Sequence, residues 1–256
     1  MPRAYLRLQR HTVNRNEAFA KGLTRAGFEV STTNFASPSS DDLLVIWNRM
    51  PRDEVVADRF QRVAKVIIAE NGYIGNGEGD NGKLIALSRT YHNGAGKWPD
   101  HDLQRWEGFG VELKPWRTDG ETILVLPQRG FGSRGVAMPY DWPNRIMGSL
   151  NLRTDRPVKM RRHPGQGKNY EPDFSNVFAA VTWGSGAAIK AIAAGVPVFY
   201  DFPEWIGRLA AIPLADADLE KPFRGDRLPM FERLSGAQWR LSEIETGEPF
   251  RELVAL

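Results

Sequence analysis

The segment Val158–Tyr200 constrains the fold of this chain more than any other. It begins with an apolar strand that leads into Arg161-Arg162-His163-Pro164-Gly165. A second apolar run ends at Thr182, a turn containing Gly184-Ser185-Gly186 follows, and a helix of small residues precedes a third apolar run. This order predicts a β–turn–α–β unit. The first amides of a helix are unpaired and lie at the positive end of its dipole, so the turn favours an anionic ligand such as a phosphate group.

Apolar runs alternate with segments of helical spacing along the rest of the chain. Leu43–Trp47 is one such run in the first half, and Thr122–Leu126 begins a second series that continues with a predicted helix over Asp141–Leu150. This alternation is typical of an α/β fold with parallel strands. We therefore predict two small, doubly wound, Rossmann-like domains facing a cleft, over residues 1–118 and 119–256, the second with a helical tail.

Composition excludes several classes of protein. The chain of 256 residues has no cysteine, so disulfides, thiolate metal sites and cysteine nucleophiles are excluded, and we expect a cytoplasmic protein. No apolar run approaches the roughly 18–20 residues that span a bilayer, so no membrane span is predicted. The net charge of +3 is a weak bias toward polyanions such as nucleotides or DNA.

The glycine-rich turn supplies the first candidate binding residues. Its glycines let backbone amides approach an anion closely, and Ser185 can both cap the helix and donate to a phosphate oxygen. A plain serine-capped helix would have the same residues. The candidate donor-binding residues here are Trp183, Gly184, Ser185, Gly186 and Ala187.

Two further strand ends carry residues suited to phosphate. Arg162 and His163 follow the strand that begins at Val158, and arginine offers paired donors to phosphate oxygens. Gln128-Arg129-Gly130 follows the strand Thr122–Leu126 and could cradle a diphosphate, although a flexible turn between domains explains the same residues. The glycine spacing matches neither a dinucleotide fingerprint nor a P-loop.

Candidate acid–base residues lie in the first half. Glu70 ends a predicted strand, which is a suitable place for a general base, and His92 is a competing base. Asn71 and Asn93 stand beside them as candidate acceptor-binding residues. No His-Glu-x-x-His or Asp-x-Asp pattern is present, so no metal site is predicted.

The run from Arg161-Arg162-His163-Pro164-Gly165 through Gly184-Ser185-Gly186 to Gly195-Val196-Pro197 resembles the C-terminal domain of GT-B glycosyltransferases. The likeness is strongest to the branch that contains capsular polysaccharide transferases. It implies a compact GT-B-like fold and a nucleotide-sugar co-substrate, UDP-linked by expectation, used without a metal cofactor. It also implies that the donor is bound by Arg162, His163, Ser185, Gly186 and Ala187, and less closely by Gln128 and Arg129.

The whole chain also resembles short proteins encoded by tailed phages and prophages. The shared motifs include Ile-Trp-Asn-Arg, Ala-Glu-Asn-Gly-Tyr, His-Asn-Gly and Gly-Glu-Pro-Phe-Arg. By analogy with phage DNA modification, the favoured prediction is a glycosyltransferase acting on hydroxymethylated pyrimidines in double-stranded DNA, in the host cytoplasm. The alternatives are a surface-polysaccharide glycosyltransferase and a non-catalytic phage protein that sequesters a nucleotide.

Overall fold

The computed structural model describes residues 1–8, 13–34, 37–74, 84–92, 94–161 and 172–256, with the backbone alone for Val13 and Asn14. The chain forms two units, each built around its own sheet. The first unit comprises residues 1–111 and 232–256, and the second comprises residues 112–231. None of the helices in these ranges is long and apolar enough to cross a membrane.

The first unit contains a six-stranded mixed sheet. In chain order its strands are β1 (Arg3–Arg7), β2 (Glu29–Ser31), β3 (Leu43–Trp47), β4 (Lys65–Asn71), β5 (Ile85–Arg89) and β11 (Gln238–Trp239). Their order in the sheet is β2-β1-β3-β4-β5-β11. The first four are parallel, as predicted for this half, but β5 runs antiparallel to β4, and β11 runs antiparallel to β5.

The centre of this sheet follows from its apolar sequence. All five residues of β3 are buried, as expected for a strand covered on both faces. Among the described residues, the helices of this unit are α1 (Val13–Arg25), α2 (Pro51–Gln61), α3 (Leu103–Glu107), α7 (Leu241–Thr246) and α8 (Glu248–Ala255), together with the last turn of α6 (Leu228–Ser235). Phe60 on α2 packs with Tyr5, Ile46 and Ile68 in a buried cluster against the sheet.

The last residues of the chain belong to the first unit. The ring of Phe250 on α8 lies 5.7 Å from that of Phe19 on α1, and Lys21 pairs with Glu245 at 2.7 Å. The predicted domain over residues 119–256 differs here, because its helical tail packs on α1 rather than on the second sheet. The sequences of α7 and α8 predict an apolar face for each helix, but they do not specify which of the two sheets that face packs against.

The second unit contains a fully parallel five-stranded sheet. Its strands are β6 (Thr122–Leu126), β7 (Val158–Met160), β8 (Val177–Thr182), β9 (Val198–Tyr200) and β10 (Ile212–Pro213), in the order β7-β6-β8-β9-β10. Its helices include α4 (Trp142–Asn151) and α5 (Gly186–Ala193). Trp142 and Ile146 of α4 are buried against Val125 and Phe199 of the sheet. Leu126 pairs with Thr182, so β6 and β8 end side by side.

Arg49, from the Ile-Trp-Asn-Arg motif, has a structural role in the first unit. Only 1% of its side chain is exposed, and its guanidinium donates to Glu54 and to Asp58, at 2.8 and 2.7 Å respectively. It also donates to the carbonyl oxygen of Thr90 at 2.9 Å. A forked cation of this kind holds the start of α2 beside the loop after β5. The motif is therefore explained by folding.

Asp42 should make the stability of the first unit depend on pH. Burial alone would raise its pKa, but hydrogen bonds from Arg3 and Ser39 outweigh burial and lower the pKa of Asp42 to about 2. A depressed pKa stabilises the fold above the unfolded-state value, 3.8, and this contribution is lost as the pH falls toward 2. Asp42→Asn should therefore destabilise the protein at pH 7 and have progressively less effect below pH 4.

Urea unfolding of Asp42→Asn and wild type at pH 7, 4 and 3 measures this dependence. Asp41→Asn is the matched control, because Asp41 is exposed and its substitution should have little effect at any pH. A destabilisation by Asp42→Asn that stays constant from pH 7 to pH 3 would contradict the assignment.

Candidate functional site

The turn between β8 and α5 is held by the side chain of Thr182. Its hydroxyl donates to the carbonyl oxygen of Leu126 at 2.9 Å, which ties the end of β8 to the end of β6. The same oxygen accepts from the amides of Gly184 at 3.2 Å and Ser185 at 2.9 Å. Thr182 is fully buried. This one hydroxyl therefore fixes the path of the glycine-rich turn at the carboxyl edge of the sheet.

Gln128 braces the same turn from the neighbouring strand end. Its side-chain amide nitrogen donates to the carbonyl oxygen of Gly184. The residue is 7% exposed, and its Oε1 atom is buried without a hydrogen-bond partner in the described part of the chain. A buried amide oxygen without a donor is costly, so a ligand with an N–H or O–H group would be favourable there.

Ser185 caps α5, as the sequence predicted. It has extended backbone angles, and its side-chain oxygen accepts from the amide of Ala187 at 3.2 Å. Gly186 is the first residue of the helix. Gly184 lies in a tight space, where a Cβ atom would come within 3.3 Å of ring carbons of Phe202 and Trp205. The turn thus combines a helix amino terminus with a backbone that packing holds in place.

Trp183 lies between aromatic neighbours. Its ring is stacked on Phe202 at 5.7 Å with an angle of 16° between the planes, and its Nε1 donates to the carbonyl oxygen of Val136 at 3.0 Å. Trp142 meets it edge-on and donates to Asp201 at 2.7 Å. These contacts make Trp183 a packing residue that supports the turn, and its predicted contact with the donor stays a prediction.

The other predicted phosphate-binding residues differ in how far the structure describes them. Arg129 is exposed, with its guanidinium 5.4 Å from the ring of Phe131, and Gly130 has a φ of 71°. Arg162 and His163 lie outside the described residues. Of the residues predicted to bind the donor, the structure brings Gln128 together with the Gly184-Ser185-Gly186 turn.

In the first unit, Glu70 is part of a buried hydrogen-bonded cluster at the end of β4. The hydroxyl of Tyr73 donates to Glu70 Oε1 and accepts from the amide of Gly94 at 2.8 Å. Glu70 is 8% exposed, Tyr73 is 7% exposed, and His92, two residues before Gly94, is 4% exposed. The segment that carries His92 therefore lies against Tyr73, close to Glu70.

The structure does not test the predicted role of Asn71 and Asn93 in acceptor binding. Asn71 is exposed and follows Glu70 at the end of β4. Asn93 lies outside the described residues. Their roles stay predictions, as do those of Glu70 and His92.

Burial strengthens the electrostatic coupling within the cluster. Loss of solvent raises the pKa of Tyr73 well above 10, and the neighbouring Glu70 raises it further. The phenol therefore keeps its proton throughout the neutral range and acts as a hydrogen-bond donor to the carboxylate.

Sequence reasoning did not identify three residues that shape these places. Thr182 and Tyr73 lie within the candidate segments but were given no role of their own, and Gln238, whose Oε1 accepts from the amide of Tyr73 at 2.9 Å, was not considered. A threonine that ends an apolar strand just before a glycine-rich turn is a signal that could have identified Thr182. No comparable local signal marks Gln238, because its partner lies 165 residues away.

The described residues contain no group of three or more histidine, aspartate or glutamate side chains placed to hold a metal ion. The expectation from the sequence that no metal is used stays a prediction. The residues described above offer hydrogen-bonding groups and a helix amino terminus in the second unit, and a buried carboxyl group in the first.

The arrangement of strands and helices is shared with known transferases. No protein-family model matches the sequence, and no curated protein matches it. The KpsC β-Kdo 2,7 transferase of Thermosulfurimonas dismutans superposes with a TM-score of 0.54 and 13% identity, covering 97% of this chain and 98% of that one. The chain has a KpsC-like fold. The KpsC β-Kdo 2,4 transferase of the same organism superposes with a TM-score of 0.51 and 11% sequence identity. The superposition covers 93% of this chain and 90% of that one.

These likenesses confirm the predicted GT-B-like α/β fold. At 11–13% identity they concern the fold alone. The predicted resemblance to phage proteins has no counterpart among these KpsC-like structures and stays a prediction.

Proposed function

We propose that this protein is a glycosyltransferase that moves a sugar from a nucleotide-sugar donor to a hydroxyl group of an acceptor. The observation that carries the proposal is the β8–α5 turn, fixed by Thr182 and Gln128 at the carboxyl edge of a parallel sheet. In open α/β sheets, ligands bind outside the carboxyl ends of the strands. A KpsC-like fold supports the same function, since both matched structures are named as Kdo transferases.

The turn suits the donor nucleotide because its groups are complementary to a phosphate and a hydroxyl. The amides of Gly184, Ser185 and Ala187 already donate to side chains of the turn, so the start of α5 attracts the phosphate oxygens through the positive end of its dipole. The buried Oε1 of Gln128 can accept from a ribose hydroxyl or an N–H of the base. As the bond to the sugar breaks, negative charge develops on the leaving phosphate, and the turn stabilises it electrostatically.

Glu70 is the proposed general base. A carboxylate at a strand end can take the proton from the acceptor hydroxyl as that oxygen attacks the anomeric carbon. His92 is the second candidate for this step, and Asn71 and Asn93 are proposed to bind the acceptor. Arg162 and His163 are proposed to add positive charge beside the leaving phosphate.

We propose a sugar hydroxyl of a surface polysaccharide as the acceptor. The KpsC transferases that share the fold are Kdo transferases by name, which supports a glycan rather than a DNA base. The sequence-based preference for hydroxymethylated DNA rests on the phage likeness, which the fold comparison does not support. Modified DNA therefore enters the experiment as a competing acceptor.

Incubation with UDP-, CMP-, GDP- and ADP-linked sugars, including nucleotide-activated Kdo, tests the function. We expect one donor class to be hydrolysed slowly in water and transferred faster when a glycan acceptor is added. The matching nucleotide should raise the melting temperature, and EDTA should leave the rate unchanged. Absence of hydrolysis, transfer and any nucleotide-dependent shift with every donor would overturn the proposal, and transfer to hydroxymethylated DNA alone would overturn the glycan acceptor.

A further inference from the structure

We propose that Tyr73 is a positioning residue that orients the carboxylate of Glu70 and keeps it ionised. This inference rests on the proposed function, in which Glu70 is the general base. Tyr73 was not a candidate in the sequence, and its importance comes from three contacts in the first unit, which involve Glu70, Gly94 and Gln238.

The direction of the hydrogen bonds follows from the inventory of donors. The amide of Gly94 can only donate, so the Tyr73 oxygen accepts from it at 2.8 Å. A tyrosine hydroxyl has one proton, and that proton is directed to Glu70 Oε1. The Glu70 oxygen in this contact is therefore an acceptor, and because an ionised carboxylate accepts more strongly than a neutral carboxyl group, the contact favours the ionised form.

The backbone amides of Gly72 and Tyr73 are both held by hydrogen bonds. The amide of Gly72 donates to the carbonyl oxygen of Leu84 at 2.8 Å, and a Cβ atom at Gly72 would lie 2.6 Å from that oxygen. The amide of Tyr73 donates to Oε1 of Gln238, which is fully buried. A tyrosine anchored in this way has little freedom to turn, so its hydroxyl gives Glu70 a fixed orientation.

Burial explains why such a donor is needed. Glu70 as a residue is only 8% exposed, and loss of hydration on burial favours the protonated form of a carboxyl group. A protonated carboxyl group cannot act as a base. A hydrogen bond from a phenol that keeps its own proton favours the ionised form of Glu70. Because the phenol is neutral, it does so without placing a positive charge beside the carboxylate.

Tyr73→Phe isolates this hydroxyl. In protein with ¹³C-labelled glutamate side chains, the resonance of Glu70 is assigned by its disappearance in Glu70→Gln and followed across a pH titration. We expect Tyr73→Phe to raise the titration midpoint of Glu70 by about one pH unit, because the hydrogen bond that favours the charged form is lost. The imidazole resonances are recorded in the same titration to follow His92.

Tyr91→Phe is the control, because it removes a hydroxyl from the same unit and leaves the ring, which lies 5.8 Å from the Arg49 guanidinium. It should leave the Glu70 midpoint where wild type has it. Uniform replacement of tyrosine by 3-fluorotyrosine keeps every ring and hydroxyl but makes the hydroxyl a stronger donor, so the Glu70 midpoint should fall. If Tyr73→Phe does not fold, the 3-fluorotyrosine measurement alone tests whether the Tyr73 hydroxyl controls the titration of Glu70.

The rate of nucleotide-sugar hydrolysis gives an independent readout. Tyr73→Phe should shift the acidic limb of the pH–rate profile upward and lower kcat, with little change in the KM for the donor. An unchanged Glu70 midpoint in folded Tyr73→Phe, or in the 3-fluorotyrosine protein, overturns the positioning role. If wild type turns over no donor, the proposed function fails, but the titration still decides whether Tyr73 controls Glu70.

Discussion

Glu70→Gln should lower the rate of sugar transfer by about 100-fold or more, within the range that general acid–base groups contribute. The substitution keeps the size of the side chain and a side-chain oxygen that can accept from Tyr73, so the cluster in the first unit should remain folded. It removes the proton acceptor that the proposed reaction needs. Steady-state rates with the donor identified from the panel measure the effect.

Nucleotide binding separates loss of catalysis from loss of structure. Glu70 lies in the first unit and the β8–α5 turn in the second, so the nucleotide-dependent rise in melting temperature should persist in Glu70→Gln. Glu17→Gln is the matched control, because Glu17 is exposed on α1 and should leave the rate unchanged. If Glu70→Gln retained the wild-type rate, Glu70 would not be the base. The rate of a His92→Gln variant would then test the second candidate.

Thr182→Val should reduce the free energy of unfolding by about 3 kcal/mol, although valine and threonine have nearly the same shape. The substitution removes the hydroxyl that joins the carbonyl of Leu126 to the amides of Gly184 and Ser185. These groups are buried and would lose their partner. Urea unfolding measures the loss, and nucleotide binding should weaken because the turn is no longer fixed.

Thr182→Ser is the control for this experiment, because it keeps the hydroxyl and removes only a methyl group. It should cost about 1 kcal/mol. If valine and serine at residue 182 destabilised the protein equally, the hydroxyl would make no special contribution, and the account of the turn would be wrong.

Strands that are buried on both faces could be predicted closely from the sequence. Leu43–Trp47 and Thr122–Leu126 have the predicted bounds, because a continuous apolar run has few alternatives to a central strand. The capped start of α5 was also predicted, because serine before a glycine-initiated helix is a local signal.

Elements that depend on distant partners could not be predicted. β11 has two residues and is a strand only because it pairs with β5, about 150 positions earlier in the chain. The same limit applies to the candidate site. Gln128 reaches Gly184 across 56 positions, and no pattern around either residue specifies that contact.

The divided first unit has a consequence for synthesis on the ribosome. Its sheet is complete only when residues 232–256 have been made, whereas the second unit is continuous over residues 112–231. At roughly 5–20 residues per second, translation of residues 112–256 takes on the order of ten seconds. During this interval β5 lacks its neighbour β11, and α1 lacks its partners α7 and α8. The first unit therefore begins to be translated first but receives its last residues after the second unit is complete. Newly made chains should therefore pass through a state in which β5 is an unpaired edge, and such an edge can pair with other chains.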